Sequence, residues 1–175
     1  MRAVRDRTPN FRPVSQSSME AGLLLRNHMG KRVLVVDDHV PVVRLIEERL
    51  RHEGFDVLAA HNGADCLRAV AAQRPDLVIL DLEMPIMDGL RTLRALRLKP
   101  GTGLLPVIIL TVHKEKPDLI AGWMAGADEY LTKPCRMDDL VAAVKRVLAA
   151  PPGRDAVLPA EGPVEAPAEP ALPRK

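Results

Sequence analysis

Between residues 31 and 150 the spacing of apolar positions switches back and forth between two periods. Unbroken apolar runs such as Val33-Leu34-Val35-Val36 and Leu77-Val78-Ile79-Leu80 have the length of strands buried on both faces. Between them the apolar positions spread out to helical spacing. Val43, Ile46 and Leu50 form one stripe, with Pro41 suited to the first turn and Gly54 to the end. The pattern predicts strands over Lys31–Val36, Phe55–Ala60, the run ending at Asp81, Leu105–Thr111 and Ala127–Thr132. Helices are predicted over Pro41–His52, from Asn62 to near Arg74-Pro75, and through Leu90, Leu93 and Leu96. A weaker one covers Asp118–Met124, and a last one Met137–Ala150. Five strand–helix units imply an α/β fold: a five-stranded, doubly wound parallel sheet with helices on both faces.

Composition narrows the function classes. A hydrophobic content of 47% sustains a core, and with 2% aromatics it must be built from aliphatic side chains. Residues 1–30 carry five arginines against Asp6 and Glu20 and read as a flexible basic arm. Residues 151–175, rich in Pro, Ala and Glu, read as a disordered tail. The 17 basic and 17 acidic residues between them cancel, so the body lacks the electrostatic footprint of a dedicated nucleic-acid binder. Direct DNA binding is not expected. Cys66 and Cys135 form no metal or disulfide pattern, and no apolar run is long enough to span a membrane. A cytoplasmic protein is expected.

The candidate chemistry lies at the strand ends. Asp37, Asp38, Asp81, Thr111 and Lys133 each end, or just follow, a predicted strand. In an open parallel sheet these ends share one edge, where ligands bind. A lone Asp there is commonly a turn residue, and Asp37-Asp38 could equally cap the next helix; the joint pattern favours a site. Two carboxylates about 4 Å apart repel by roughly 4 kcal/mol at an effective dielectric near 20. Lys133 offsets one charge of three, and a divalent cation would offset the rest. Oxygen ligands without Cys or His favour Mg²⁺, with Mn²⁺ possible. Asp81 beside such an ion is a candidate nucleophile for phosphoryl transfer. His39, His61 and His113 read as solvated or capping groups, and Met84 and Met87 as loop packing. Arg91, Arg94 and Arg97 read as a solvated helix face.

Four segments resemble response-regulator receiver domains of two-component signalling, over residues 31–150. They are Val-Leu-Val-Val-Asp-Asp at 33–38, Asp-Leu-Val-Ile-Leu-Asp-Leu-Glu-Met-Pro-Ile-Met-Asp-Gly at 76–89, Pro-Val-Ile-Ile-Leu-Thr at 106–111 and Gly-Ala-Asp-Glu-Tyr-Leu-Thr-Lys-Pro at 126–134. The resemblance implies the flavodoxin-like strand order 2-1-3-4-5. It implies Asp81 as the phosphorylated residue, supplied by a histidine kinase or phosphotransfer protein. It implies Mg²⁺ held by Asp37, Asp38, Asp81 and the backbone carbonyl of Glu83. Thr111 and Lys133 correspond to the hydroxyl and ammonium that meet the phosphoryl group, and Tyr130 to the aromatic that switches with Thr111. Lys133-Pro134 is a candidate cis peptide. The switch would alter the surface of the helix over 118–124, the fifth strand and the last helix, where Trp123 lies. The chain departs from the family in Val112, larger than usual after Thr111, in Cys135, where an aromatic is common, and in the acidic Glu83.

With no output domain expected in so short a tail, signalling would pass through contacts with a downstream target protein. The chain is expected to be a phosphoacceptor rather than an enzyme. Two rivals are a receiver-like binding module that works without phosphorylation and an aspartyl-phosphate phosphatase. Glu83, two residues after Asp81, invites the second comparison, although such phosphatases usually place the nucleophile on the first strand and an Asp at the following acid.

Overall fold

The computed structural model describes residues 28–112 and 125–150. The basic arm up to residue 27, the tail beyond 150, and the predicted helix over 118–124 with His113 and Trp123 lie outside the described residues. The five predicted strands are present: β1 (Arg32–Val36), β2 (Asp56–Ala60), β3 (Leu77–Leu80), β4 (Val107–Thr111) and β5 (Glu129–Thr132). Helices α1 (Val40–His52), α2 (Gly63–Gln73), α3 (Gly89–Leu98) and α4 (Met137–Ala149) alternate with them. All strand pairs are parallel, and the sheet order is β2-β1-β3-β4-β5.

Alternation within each strand splits the core in two. Val33, Val35, Leu77, Ile79, Ile108 and Leu110 face α1 and α4 in one apolar cluster. Their neighbours Leu34, Val36, Val78, Leu80, Val107 and Ile109 face α2 and α3 in the other. Successive strand side chains point to opposite faces, so a continuous apolar run is what a sheet covered on both sides requires. The strands are one or two residues shorter at their starts than the apolar pattern predicts. Leu105 and Pro106 precede β4, and the Pro106 carbonyl only accepts from the Val78 amide; proline has no amide to give a ladder.

The helix starts follow local chemistry. Asn62 caps α2 by accepting from the Asp65 amide, and Asp88 caps α3 by accepting from the Arg91 amide. Asp37 and Asp38 do not cap α1. His39 occupies that position without a side-chain cap bond, which leaves both carboxylates for other work. In α4, Asp138 and Asp139 lie in the first turn, where the helix dipole favours them.

Two further readings of the sequence change. Arg97 is not part of a solvated face. Its guanidinium turns inward to donate to the carbonyls of Gly126 and Leu105 and to Asp128, while Arg91 and Arg94 stay exposed. His28, Met29 and Gly30, assigned from sequence to the end of the arm, form a turn against the body. The buried His28 ring stacks on Phe55, and the Gly30 amide donates to the Gly54 carbonyl. Burial, together with Lys145 and Lys31, holds the His28 imidazole below its ordinary pKa. No described helix is long and apolar enough to cross a membrane.

Candidate functional site

The site is built where the strands stop. Asp37 follows β1, Asp81 follows β3, Thr111 ends β4 and Lys133 follows β5. The sheet order places β3 between β1 and β4, so Asp81 stands centrally, with Asp37 and Asp38 to one side and Thr111 to the other. The Asp81 amide donates to the Val36 carbonyl at 2.9 Å, which locks the two acidic strand ends in register.

Each carboxylate is held differently. Asp81, 7% exposed, accepts at Oδ1 from the Leu82 amide at 2.7 Å and at Oδ2 from Lys133 Nζ at 2.7 Å. Asp37, 2% exposed, accepts at Oδ1 from the His39 amide at 2.8 Å and at Oδ2 from Lys133 Nζ at 2.5 Å. Lys133 thus reaches from β5 past β4 to bridge β3 and β1. Burial disfavours its charge, but the two carboxylates outweigh that and hold the ammonium above the ordinary lysine range. Asp38 is exposed. One oxygen each from Asp37, Asp38 and Asp81 lie within 4.8 Å of one another, a spacing one cation can bridge.

The remaining predicted residues fall around this centre. Thr111 is fully buried, and its carbonyl accepts from the Lys133 amide at 2.7 Å. Tyr130, on β5, pairs in register with Ile109 of Thr111's own strand and packs against the α2–α3 cluster. Glu83 is exposed two residues beyond Asp81. The Lys133-Pro134 peptide is cis. Val112 is 56% exposed, and Cys135 packs at the edge of the α1–α4 cluster, where burial raises its thiol pKa. His61 lies in the site's wall through its Nδ1, 3.1 Å from the Asp37 carbonyl oxygen.

Sequence reasoning missed the role of two glycines. A Cβ on Gly89 would lie 2.8 Å from Leu82 Cα and collide with the Asp81 carbonyl oxygen. At Gly63 it would collide with Thr92 and the Met87 carbonyl. Both clear space for the loop after β3 to fold back beneath Asp81. That loop turns tightly: the Met87 amide donates to the Pro85 carbonyl at 2.7 Å around Ile86, at φ 71°. A β-branched residue in the left-handed region is strained. The Asp-Gly pair at 88–89 was a sequence signal for a turn; which backbone it had to clear was not encoded locally.

The family model for the response regulator receiver domain matches residues 33–145. The chain belongs to this family. Among curated relatives, the transcriptional regulatory protein PrrA of Mycobacterium tuberculosis is 44% identical over 117 residues, 67% of this chain and 49% of PrrA. The alkaline phosphatase synthesis transcriptional regulatory protein PhoP of Bacillus subtilis is 36% identical over 120 residues, 69% of this chain and 49% of PhoP. The chain spans about half the length of the curated relatives it matches. Among solved structures, a response regulator from Chloroflexus aurantiacus superposes with a TM-score of 0.67 at 36% identity, covering 69% of this chain and 99% of that one. The chemotaxis response regulator CheY4 of Vibrio cholerae gives 0.65 at 28% identity, covering 68% and 99%. The receiver fold and the two-component signalling class follow. In that family the acidic cluster of Asp37, Asp38 and Asp81 is of the kind that binds Mg²⁺, and its all-oxygen donor set suits that ion.

Proposed function

We propose that this receiver domain is the phosphoacceptor of a two-component relay in the cytoplasm, and that Asp81 carries the phosphoryl group. The donor is a histidine kinase or a histidine-containing phosphotransfer protein. The N–P bond of the phosphohistidine breaks, an O–P bond to the Asp81 carboxylate forms, and the imidazole leaves. The observation that carries this reading is the cluster of three carboxylates at the edge of the sheet, two of them, Asp37 and Asp81, bonded to one ammonium.

The chain's own groups divide the work. Asp37 and Asp38, the Asp81 carboxylate and the Glu83 backbone carbonyl would hold Mg²⁺. Bound there, the ion supplies positive charge against the oxygens of the transferring group. Lys133, already bonded to Asp81, follows the charge to a phosphoryl oxygen. Thr111 offers its hydroxyl from the neighbouring strand end, and Tyr130 on β5 responds to its movement. That response alters the β5–α4 surface, and a target protein that prefers the altered form reads the signal. The domain is thus a switch and phosphoacceptor rather than an enzyme with a separate substrate.

Incubation of the full chain with Mg²⁺ and acetyl phosphate, followed by intact-mass measurement, tests this. One phosphoryl adduct is expected in the wild type and none in Asp81→Asn. An adduct that persists in Asp81→Asn, or a wild type that stays unmodified, would overturn the assignment.

A further inference from the structure

On the sheet edge away from Asp81, the strand starts and the end of α3 enclose a groove of about 580 Å³. Pro75, Pro106, Leu98, Lys99 and Leu104 are among the residues that line it. Leu98 is 85% exposed and Leu104 68%, so the lining offers two large apolar side chains to the outside. Asp76, also in the wall, is already matched by Lys31 and the Arg32 amide. Arg91, Arg94 and Leu98 follow one another at helical spacing on the exposed face of α3. That helix carries no acidic residue, and neither Arg91, Arg94 nor Lys99 forms an ion pair with another described residue. The surface is therefore apolar at one end and positive along its length.

We propose that this groove is the docking surface for the chain's own segment 157–165. Three observations point to that occupant. First, the chain leaves α4 nearby: Arg146 in its last turn bonds Glu129, and the adjacent Asp128 bonds Arg97, whose residue borders the groove. Second, the segment begins a few residues beyond α4. Six residues, seven chain steps, separate Ala150 from Val157, a reach of roughly 23–25 Å when extended. Third, the chemistry matches in order. Val157-Leu158-Pro159 supplies an apolar segment for Leu98 and Leu104, and Glu161 and Glu165 follow it as α3 presents Lys99, Arg94 and Arg91. Prolines in the segment reduce the conformational entropy lost on docking.

The test uses the purified full chain with Leu158 replaced by photoreactive p-benzoylphenylalanine, irradiated and mapped by peptide mass spectrometry. Crosslinks within one chain, concentrated on residues 97–106, are expected. Leu98→Ser removes only an exposed side chain and is expected to lower their yield about tenfold. Arg94→Glu, or about 1 M salt with its screening length of ~3 Å, is expected to lower it about two- to fivefold. Crosslinks scattered over the surface, or insensitive to Leu98→Ser, overturn the proposal. Crosslinks found only between chains assign the groove to a second copy, and their absence assigns it to another protein; either result also overturns it.

Discussion

Gly89 lies so close beneath Asp81 that a single methyl group on it would run into the carbonyl oxygen of the acidic residue. The first turn of α3 is thereby pressed against the backbone that aims the central carboxylate, and the Gly89 amide donates to the Leu82 carbonyl at 2.9 Å. The obstacle is backbone on both sides, so no rotamer change relieves it. Gly89→Ala is expected to destabilise the protein by about 1–3 kcal/mol, as overpacking does. Urea denaturation measures the loss. Modification of Asp81 by acetyl phosphate should fall with it, even under conditions where the variant is fully folded. Unchanged stability in Gly89→Ala would contradict the close approach.

Asp38 separates cation binding from folding. It is exposed and accepts no hydrogen bond within the described site, unlike Asp37 and Asp81. Asp38→Ala should therefore leave the melting temperature without Mg²⁺ close to wild type. In the wild type, Mg²⁺ at about 100 times its Kd should stabilise the fold by ~2.7 kcal/mol. Most of that increment should vanish in Asp38→Ala, as read by differential scanning calorimetry with and without the ion. An equal Mg²⁺ response in both proteins would remove Asp38 from the ligand set.

The acid limb of stability should report on Glu53, at the end of α1. Lys145 of α4, 2.6 Å from its Oε2, holds the Glu53 carboxyl below its ordinary value of 4.5; burial opposes this and Arg49 reinforces it. As pH falls through 4.5 the unfolded chain takes up a proton that the folded chain still refuses. The stabilisation is therefore complete above that pH and is lost as pH drops through the lower folded value. Glu53→Gln should flatten this part of the stability profile, measured by urea denaturation at stepped pH. A variant with the same acid slope as wild type would assign the limb to other carboxylates.

Arg97 makes bonds that lysine cannot replace. Its planar fork serves two carbonyls and the Asp128 carboxylate at once, tying the end of α3 to the starts of β4 and β5. Asp128 in turn accepts from the Val107 amide that opens β4. Arg97→Lys keeps the charge but leaves acceptors unmet, and is expected to cost about 2 kcal/mol. Hydrogen exchange should speed up at the Val107 amide in particular. Exchange unchanged there, with stability intact, would show that the fork is dispensable.

The reach of sequence reasoning differs between these residues for physical reasons. Strands β1, β3 and β4 were legible because burial on both faces demands unbroken apolar runs, a strictly local signature. Asn62 was legible as a helix start because a capping bond spans only three residues. Arg97 was misread because its spacing with Arg91 and Arg94 describes a helix surface and says nothing about what lies opposite. Its partners at Leu105, Gly126 and Asp128 are 8 to 31 residues away. His28 and Gly30 were misread for the same reason: Phe55 and Gly54, their respective partners, reach them only once β1 and β2 are paired.

By itself the sequence determined the α/β class, the edge on which the acidic residues gather, and membership of the receiver family, because periodicity and strand-end chemistry are written residue by residue. Only the tertiary structure decided that Lys133 spans Asp37 and Asp81 together, that Gly63 and Gly89 clear the ground under the site, and that, among the described residues, nothing covers the apolar, basic face of α3. These depend on distances between segments far apart in the chain, which packing of the two cores sets and no local pattern encodes.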